Sequence, residues 1–223
     1  MPRTPEPPLP DNIDTSLLER GVRAELRSLS KVNADIVAAH LVAAGQFVDT
    51  NPRRALEHAR AARGRAARVG AVREAVGVAA YHAEEWAEAL TELRTARRIT
   101  GDPRTLPLLA DCERALGRPN QALRMLNDPG VAKLDPETLV ELLIVVAGAR
   151  RDLGQVDAAL AVLARGGLDT NRARPGSARL WYAYADALQA ADRLPEAAKW
   201  FAASAALDVD GEMDAAERAA ALL

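Results

Sequence analysis

Apolar residues return along this chain at three- and four-residue intervals, the spacing that gathers side chains on one face of a helix. Leu17, Leu18, Val22, Leu26 and Leu29 follow it and predict an amphipathic lead-in helix over 14–30. In "NPRRALEHARAARGRAARVGAVR", Asn51 to Arg73, the apolar positions are alanines: Ala55, Ala59, Ala62 and Ala66 form a stripe. Arg53, Arg54, Arg60, Arg65 and Arg68 occupy roughly a 140° arc on the other side. A helix with a buried alanine stripe and a basic outer face follows. Asn51-Pro52, Asp102-Pro103 and Asp135-Pro136 each set a capping side chain before a proline whose missing N–H costs nothing at a helix start. Pro119 and Pro195 mark two further starts in the same way.

One small residue recurs in one context: Ala55, Ala89, Ala122, Ala159 and Ala197, at steps of 34, 33, 37 and 38 residues. Four residues after each stands Ala59, Leu93, Leu126, Leu163 or Phe201, again on one helix face. Twelve residues before the last four stand Gly77, Ala110, Ala147 and Ala185. Between the two small positions, "LGRPNQ" and "LGQVDA" carry glycine at the same offset, Gly117 and Gly154. Each period is therefore read as two antiparallel helices joined by a tight turn, with small residues where the backbones approach.

This pattern resembles the tetratricopeptide repeat (TPR), whose consensus runs W-x₂-L-G-x₂-Y, then A-x₃-F, then P. The fifth unit matches best, with Trp181, Tyr184 and Ala185 in its first helix and Ala197 and Phe201 in its second. The second has "VGVAAY" around Gly77, then Ala89, Leu93 and Ala96. Units one, three and four are degenerate, as in a degenerate bacterial TPR-like family. The resemblance covers about residues 35–209 and implies an all-α, TPR-like α-solenoid of about five helix-turn-helix units. "MDAAERAAALL" predicts a closing cap helix over 212–223, so that 14–223 is one superhelical domain. The Pro-rich polar segment 1–13 is expected to be disordered.

Composition narrows the class. Hydrophobic residues make up 49% and aromatics only 4%, which suits closely packed helices rather than sheet. Cys112 is the only cysteine, so no internal disulfide can form, and a reducing compartment is expected. The longest apolar run, Leu142 to Ala149, is too short to span a bilayer, and the N-terminus lacks an apolar leader core; a cytoplasmic protein without membrane contact is expected. Only Lys31, Lys133 and Lys199 are lysines, a ratio that a high-GC genome produces through codon usage.

In the family the first helix of each unit lines a concave groove and the second forms the convex back. That resemblance places Glu74, Tyr81, Asp111, Arg114, Arg151, Arg179, Tyr182, Asp186 and Gln189 at groove positions, a mixed-charge surface suited to an extended peptide or a partner helix. Intramolecular pairing along the groove is the alternative for each. The carboxylate clamp of chaperone-binding members is absent, because its positions hold Glu74, Val78, Pro107 and Asp111. The function expected is a non-catalytic protein-binding scaffold that needs no cofactor or metal. The alternative is a ribosome- or RNA-associated protein gripping phosphates with Arg53, Arg54, Arg60, Arg65 and Arg68. No aromatic residues interleave those arginines for base stacking. Asn51 to Arg73 is basic and Asp186 to Leu223 acidic, an asymmetry that can steer a dipolar partner or promote weak self-association. His40, His58 and His82 belong to no ligand or nucleophile motif.

Overall fold

The structure is a computed structural model that describes residues 6–222. Among these residues twelve α-helices follow in order: α1 Arg20–Leu26, α2 Lys31–Phe47, α3 Pro52–Ala66, α4 Gly70–His82, α5 Trp86–Thr100, α6 Leu106–Ala115, α7 Pro119–Arg124, α8 Pro136–Asp152, α9 Val156–Ala164, α10 Ser177–Ala190, α11 Leu194–Ala205 and α12 Ala215–Ala221. There is no strand among the described residues. The chain divides into two compact units, one ending at Cys112 and the other beginning at Glu113. In the first, α2 packs on α3 and α4 on α5; in the second, α8 packs on α9, α10 on α11, and α12 on α11.

The recurring alanines explain the pairing. Ala55, Ala89, Ala122, Ala159 and Ala197 are all fully buried, as are Gly77's partner Leu93, Leu163 and Phe201 four residues further on. A Cβ on Gly77 would stand 2.6 Å from Leu93 Cγ and 3.1 Å from its backbone N, so only glycine lets α4 lie this close to α5. The first unit gathers Leu26, Val37, Leu41, Ala62, Ala66, Val69 and Val72 into one core. The second closes around Leu160, Leu163, Leu180, Trp181, Leu188 and Phe201.

The turns repeat more faithfully than the sequence. Glu84, Gly117, Gly154 and Asp192 all have left-handed backbones, with φ of 60°, 71°, 71° and 59°. Each lies five residues before its alanine. In all four the left-handed residue donates its N–H three residues back, and the next residue donates five back: Glu85 to Ala80, Arg118 to Glu113, Gln155 to Arg150 and Arg193 to Leu188, at 2.8 to 3.0 Å. This is a Schellman closure, which satisfies the orphan carbonyls of the first helix and turns the chain into the second.

Asn51 caps α3 by accepting from Arg54 N, and Asp135 caps α8 by accepting from Glu137 N and Thr138 N, each before its proline. Asp102-Pro103 differs: Asp102 accepts from Arg104 N within a turn, and α6 begins only at Leu106. The segment 14–30 holds a 3-10 turn, Thr15–Leu17, and then α1, because Leu18 and Glu19 are extended with ψ of 136° and 148°. Leu26 is its one buried residue and Leu17 is 67% exposed. Residues 1–5 of the expected disordered tail lie outside the described residues. Glu6, on the same tail, accepts from Arg65 Nε and Nη2 at 2.8 Å each.

Candidate functional site

Late in each first helix, four residues after the small position, stand Tyr81, Arg114, Arg151 and Gln189. One residue after the small position stand Val78, Asp111, Gly148 and Asp186. These two positions meet across consecutive first helices. Tyr81 Oη donates to Asp111 Oδ2 at 2.6 Å in the first unit. In the second, Arg151 Nη1 donates to Asp186 Oδ2. Arg114 finds glycine where an aspartate would be. Its guanidinium lies over α8, where a Cβ on Gly148 would stand 2.8 Å from Arg114 Cζ, and pairs with Asp152 Oδ2 at 2.7 Å instead.

The series ends in a network. Arg218 of α12 donates to Asp186 Oδ1 at 2.6 Å, Gln189 Oε1 at 2.7 Å and Tyr182 Oη at 2.8 Å, while Tyr182 donates to Asp214 Oδ1 at 2.6 Å. Its guanidinium also lies 4.2 Å above the Phe201 ring. Burial pushes the Asp186 carboxyl up, but the hydrogen bonds from Arg218 and Arg151 outweigh it and hold the group below the ordinary range. Burial and the Asp214 bond both raise the Tyr182 hydroxyl. Arg179 pairs with Glu141 at 2.9 Å, where burial raises the carboxyl against the pull of that arginine. Glu74 is half-buried on α4 and its carboxyl is likewise raised by burial. The structure thus brings Arg151, Tyr182, Asp186 and Gln189 together, sets Tyr81 and Asp111 as a separate pair, and gives Arg114 and Arg179 partners of their own. Asp152, Glu141, Asp214 and Arg218 were not singled out by the repeat pattern; Arg218 sits in a stretch read as a cap helix and as acidic overall.

The arginine stretch is paired in large part. Arg60 bonds Glu88, Arg63 bridges Glu88 and Glu92 at 2.9 and 2.6 Å, Arg73 reaches Glu92 at 2.7 Å, and Arg65 holds Glu6. Arg54 stacks over Phe47 at 4.3 Å. Arg53 and Arg68 are exposed and make no ion pair among the described residues. Glu88 is held below its usual range chiefly by Arg60, which keeps the carboxylate charged. Beneath this face, His40 and His58 meet with Nδ1 to Nδ1 at 3.0 Å, both buried. The rings sit on α2 and α3, so helix packing closes a gap that sequence distance leaves open. Among the described residues no group of three His, Cys, Asp or Glu side chains is placed to hold a metal.

Helix hairpins of this length, repeated with a common Schellman turn and small residues at the contacts, define a TPR-like α-solenoid fold. A solved structure bears this out: YrrB, described as a TPR protein with an unusual peptide-binding site, is similar to this chain at a TM-score of 0.51 and 19% identity, over 78% of this chain and 87% of that one. No family model matches the chain, and no curated protein matches it.

Proposed function

We propose that this protein is a non-catalytic interaction module that takes an extended peptide or a partner helix against the first-helix face of its second unit. The observation that carries this reading is the network of Arg151, Asp186 and Arg218, in which one carboxylate is shared by two guanidiniums. Both pairs remain partly open to solvent, which screens them, and Asp186 keeps one guanidinium when the other turns to a ligand. A carboxylate or amide of a bound segment can therefore replace an internal partner at little cost. Tyr182 and Gln189 add groups that both accept and donate, and Arg114 extends the row along α8. Tyr81 and Asp111 form a smaller pair of the same kind in the first unit. YrrB supports the reading to the extent that its description names a peptide-binding site on the same fold.

The phosphate-binding alternative has less behind it, because Glu88 and Glu6 already neutralise Arg60 and Arg65, two of the five arginines of the arc, and Arg54 stacks on Phe47. Pull-down from the native lysate separates the two, with and without nuclease and at low and high salt. The Tyr182→Ala, Arg151→Glu variant is expected to lose its protein partner, whereas Arg60→Glu, Arg65→Glu keeps it. RNA recovered only at low salt and lost with the second variant overturns the proposal.

A further inference from the structure

A second site lies at the other end of α8 and α10, where both helices begin. Leu134, Pro136, Leu139 and Val140 wall one side of a cleft of about 240 Å³, and the connector between α9 and α10 lines the other with Arg165, Gly166, Arg174 and Pro175. From Val140 to Asp152 is twelve residues of helix, about 18 Å at 1.5 Å per residue. The cleft is therefore separate from the Arg151 network. Two glycines fix its shape. A Cβ on Gly166 would meet Leu180 Cδ2 at 2.7 Å, and Gly176, left-handed at φ +81°, rests against Val140. Arg174 N also donates to Ser177 Oγ at 2.9 Å, which anchors the connector to the start of α10.

Charge singles this cleft out. In the second unit, Arg114, Arg118, Arg151, Arg179, Arg193 and Arg218 all pair with carboxylates. Arg124 and Arg150 donate to the side-chain oxygens of Gln121 and Gln155 instead. Arg165, Arg172 and Arg174, all in the connector, are left with no side-chain partner for their guanidiniums among the described residues. Two of them border an aliphatic cleft. A negative charge beside a branched aliphatic group complements that combination, and the volume falls below the 300–1,000 Å³ of sites that enclose drug-sized ligands. One residue and its carboxylate fill it; a long acyl chain does not.

We propose that this cleft binds the C-terminal residue of a partner polypeptide, an aliphatic side chain against Leu139 and Val140 and the chain-terminal carboxylate between Arg165 and Arg174. Guanidiniums suit this task because their planar donors match a carboxylate in pairs.

The test uses the full chain and N-acetyl-leucine as the smallest probe, followed through backbone amide shifts. Saturable shifts are expected at Gly166, Gly167 and Ser177. Affinity should fall at least tenfold for N-acetyl-leucinamide, which lacks the charge, and for the Arg165→Gln, Arg174→Gln variant. Both arginines are exposed, so unchanged helical circular dichroism in that variant separates lost binding from lost fold. Tyr182→Phe should bind the probe as wild type does, which distinguishes failure here from failure of the Arg151 face. No shifts at these amides, equal binding of the amide, or equal binding by the double variant overturns the proposal. So does octanoate binding where N-acetyl-leucine does not, since it would assign the cleft to acyl chains.

Discussion

The buried histidine pair is the residue-scale feature with the plainest consequence. With both Nδ1 atoms 3.0 Å apart, one ring donates and the other accepts, so the accepting ring must stay neutral and the two cannot both be charged without losing the bond. Burial lowers His58 to about 4, and His40 and Arg54 push the same way. Burial also lowers His40, against the pull of Glu6. An unfolded histidine titrates near 6.5. Between pH 6.5 and 4 the unfolded chain therefore binds more protons, and stability falls as pH drops through that window while staying level above it. Urea midpoints measured from pH 7.5 to 4 should decline by the equivalent of at most about 3 kcal/mol from His58. His58→Leu should flatten that decline. A second residue-scale expectation concerns the turns. Glu84 and Asp192 occupy the left-handed position that Gly117 and Gly154 fill without strain. Glu84→Gly and Asp192→Gly should each raise stability by up to about 1 kcal/mol in chemical denaturation, because the side chain costs more at positive φ than glycine loses in chain entropy.

Among the elements, α8 shows how one missing side chain redirects its neighbours. Gly148→Asp would restore the acceptor that Asp111 and Asp186 supply elsewhere, and would remove a helical glycine. A Cβ there would meet Arg114 Cζ at 2.8 Å, so the guanidinium should swing from Asp152 to the new carboxylate. Stability is expected to change by less than about 0.5 kcal/mol, because Asp ranks only slightly above glycine in helices, and Asp152→Asn should become less harmful in that background than in the wild type. Gly148→Leu would push Arg114 off Asp152 without offering it a new acceptor. On α4 the balance is unfavourable. Gly77→Ala improves helix propensity but drives a methyl into Leu93, so thermal unfolding should show a net loss of about 1–2 kcal/mol. Much of this was legible in the sequence. The recurring alanines, Gly77, Trp181 and Phe201 named the contacts, because a core position constrains residue size. The left-handed turn was legible only where glycine filled it; Glu84 and Asp192 gave no such signal, since the Schellman bonds use backbone alone. Asp102 misled because its carboxylate caps a turn as readily as a helix.

At the scale of the whole chain, charge patterns along the sequence proved a poor guide to charge in space. Seven arginines in Asn51 to Arg73 look like a free basic face, yet acids from Glu6, Glu88 and Glu92 reach most of them. Those contacts join positions 19 to 59 residues apart, beyond what local spacing reveals. The pairing of the groove positions was foreseeable only as an alternative, because repeat alignment puts residues at a surface without saying what lies opposite. Retention on heparin should accordingly change little in Arg60→Gln, Arg65→Gln. Substantially earlier elution would mean that those arginines leave their carboxylates for phosphate.

The rung that joins the fourth position after one small residue to the first position after the next depends on repeat offset alone. Copying a whole hairpin would preserve it, whereas inserting one residue between the small position and its rung partner would rotate that partner about 100° around its helix. Lengthening such a chain by duplication is therefore structurally cheaper than lengthening it by single residues within a first helix. The same rule makes the hairpin, rather than the residue, the natural step for building shorter or longer versions of this protein.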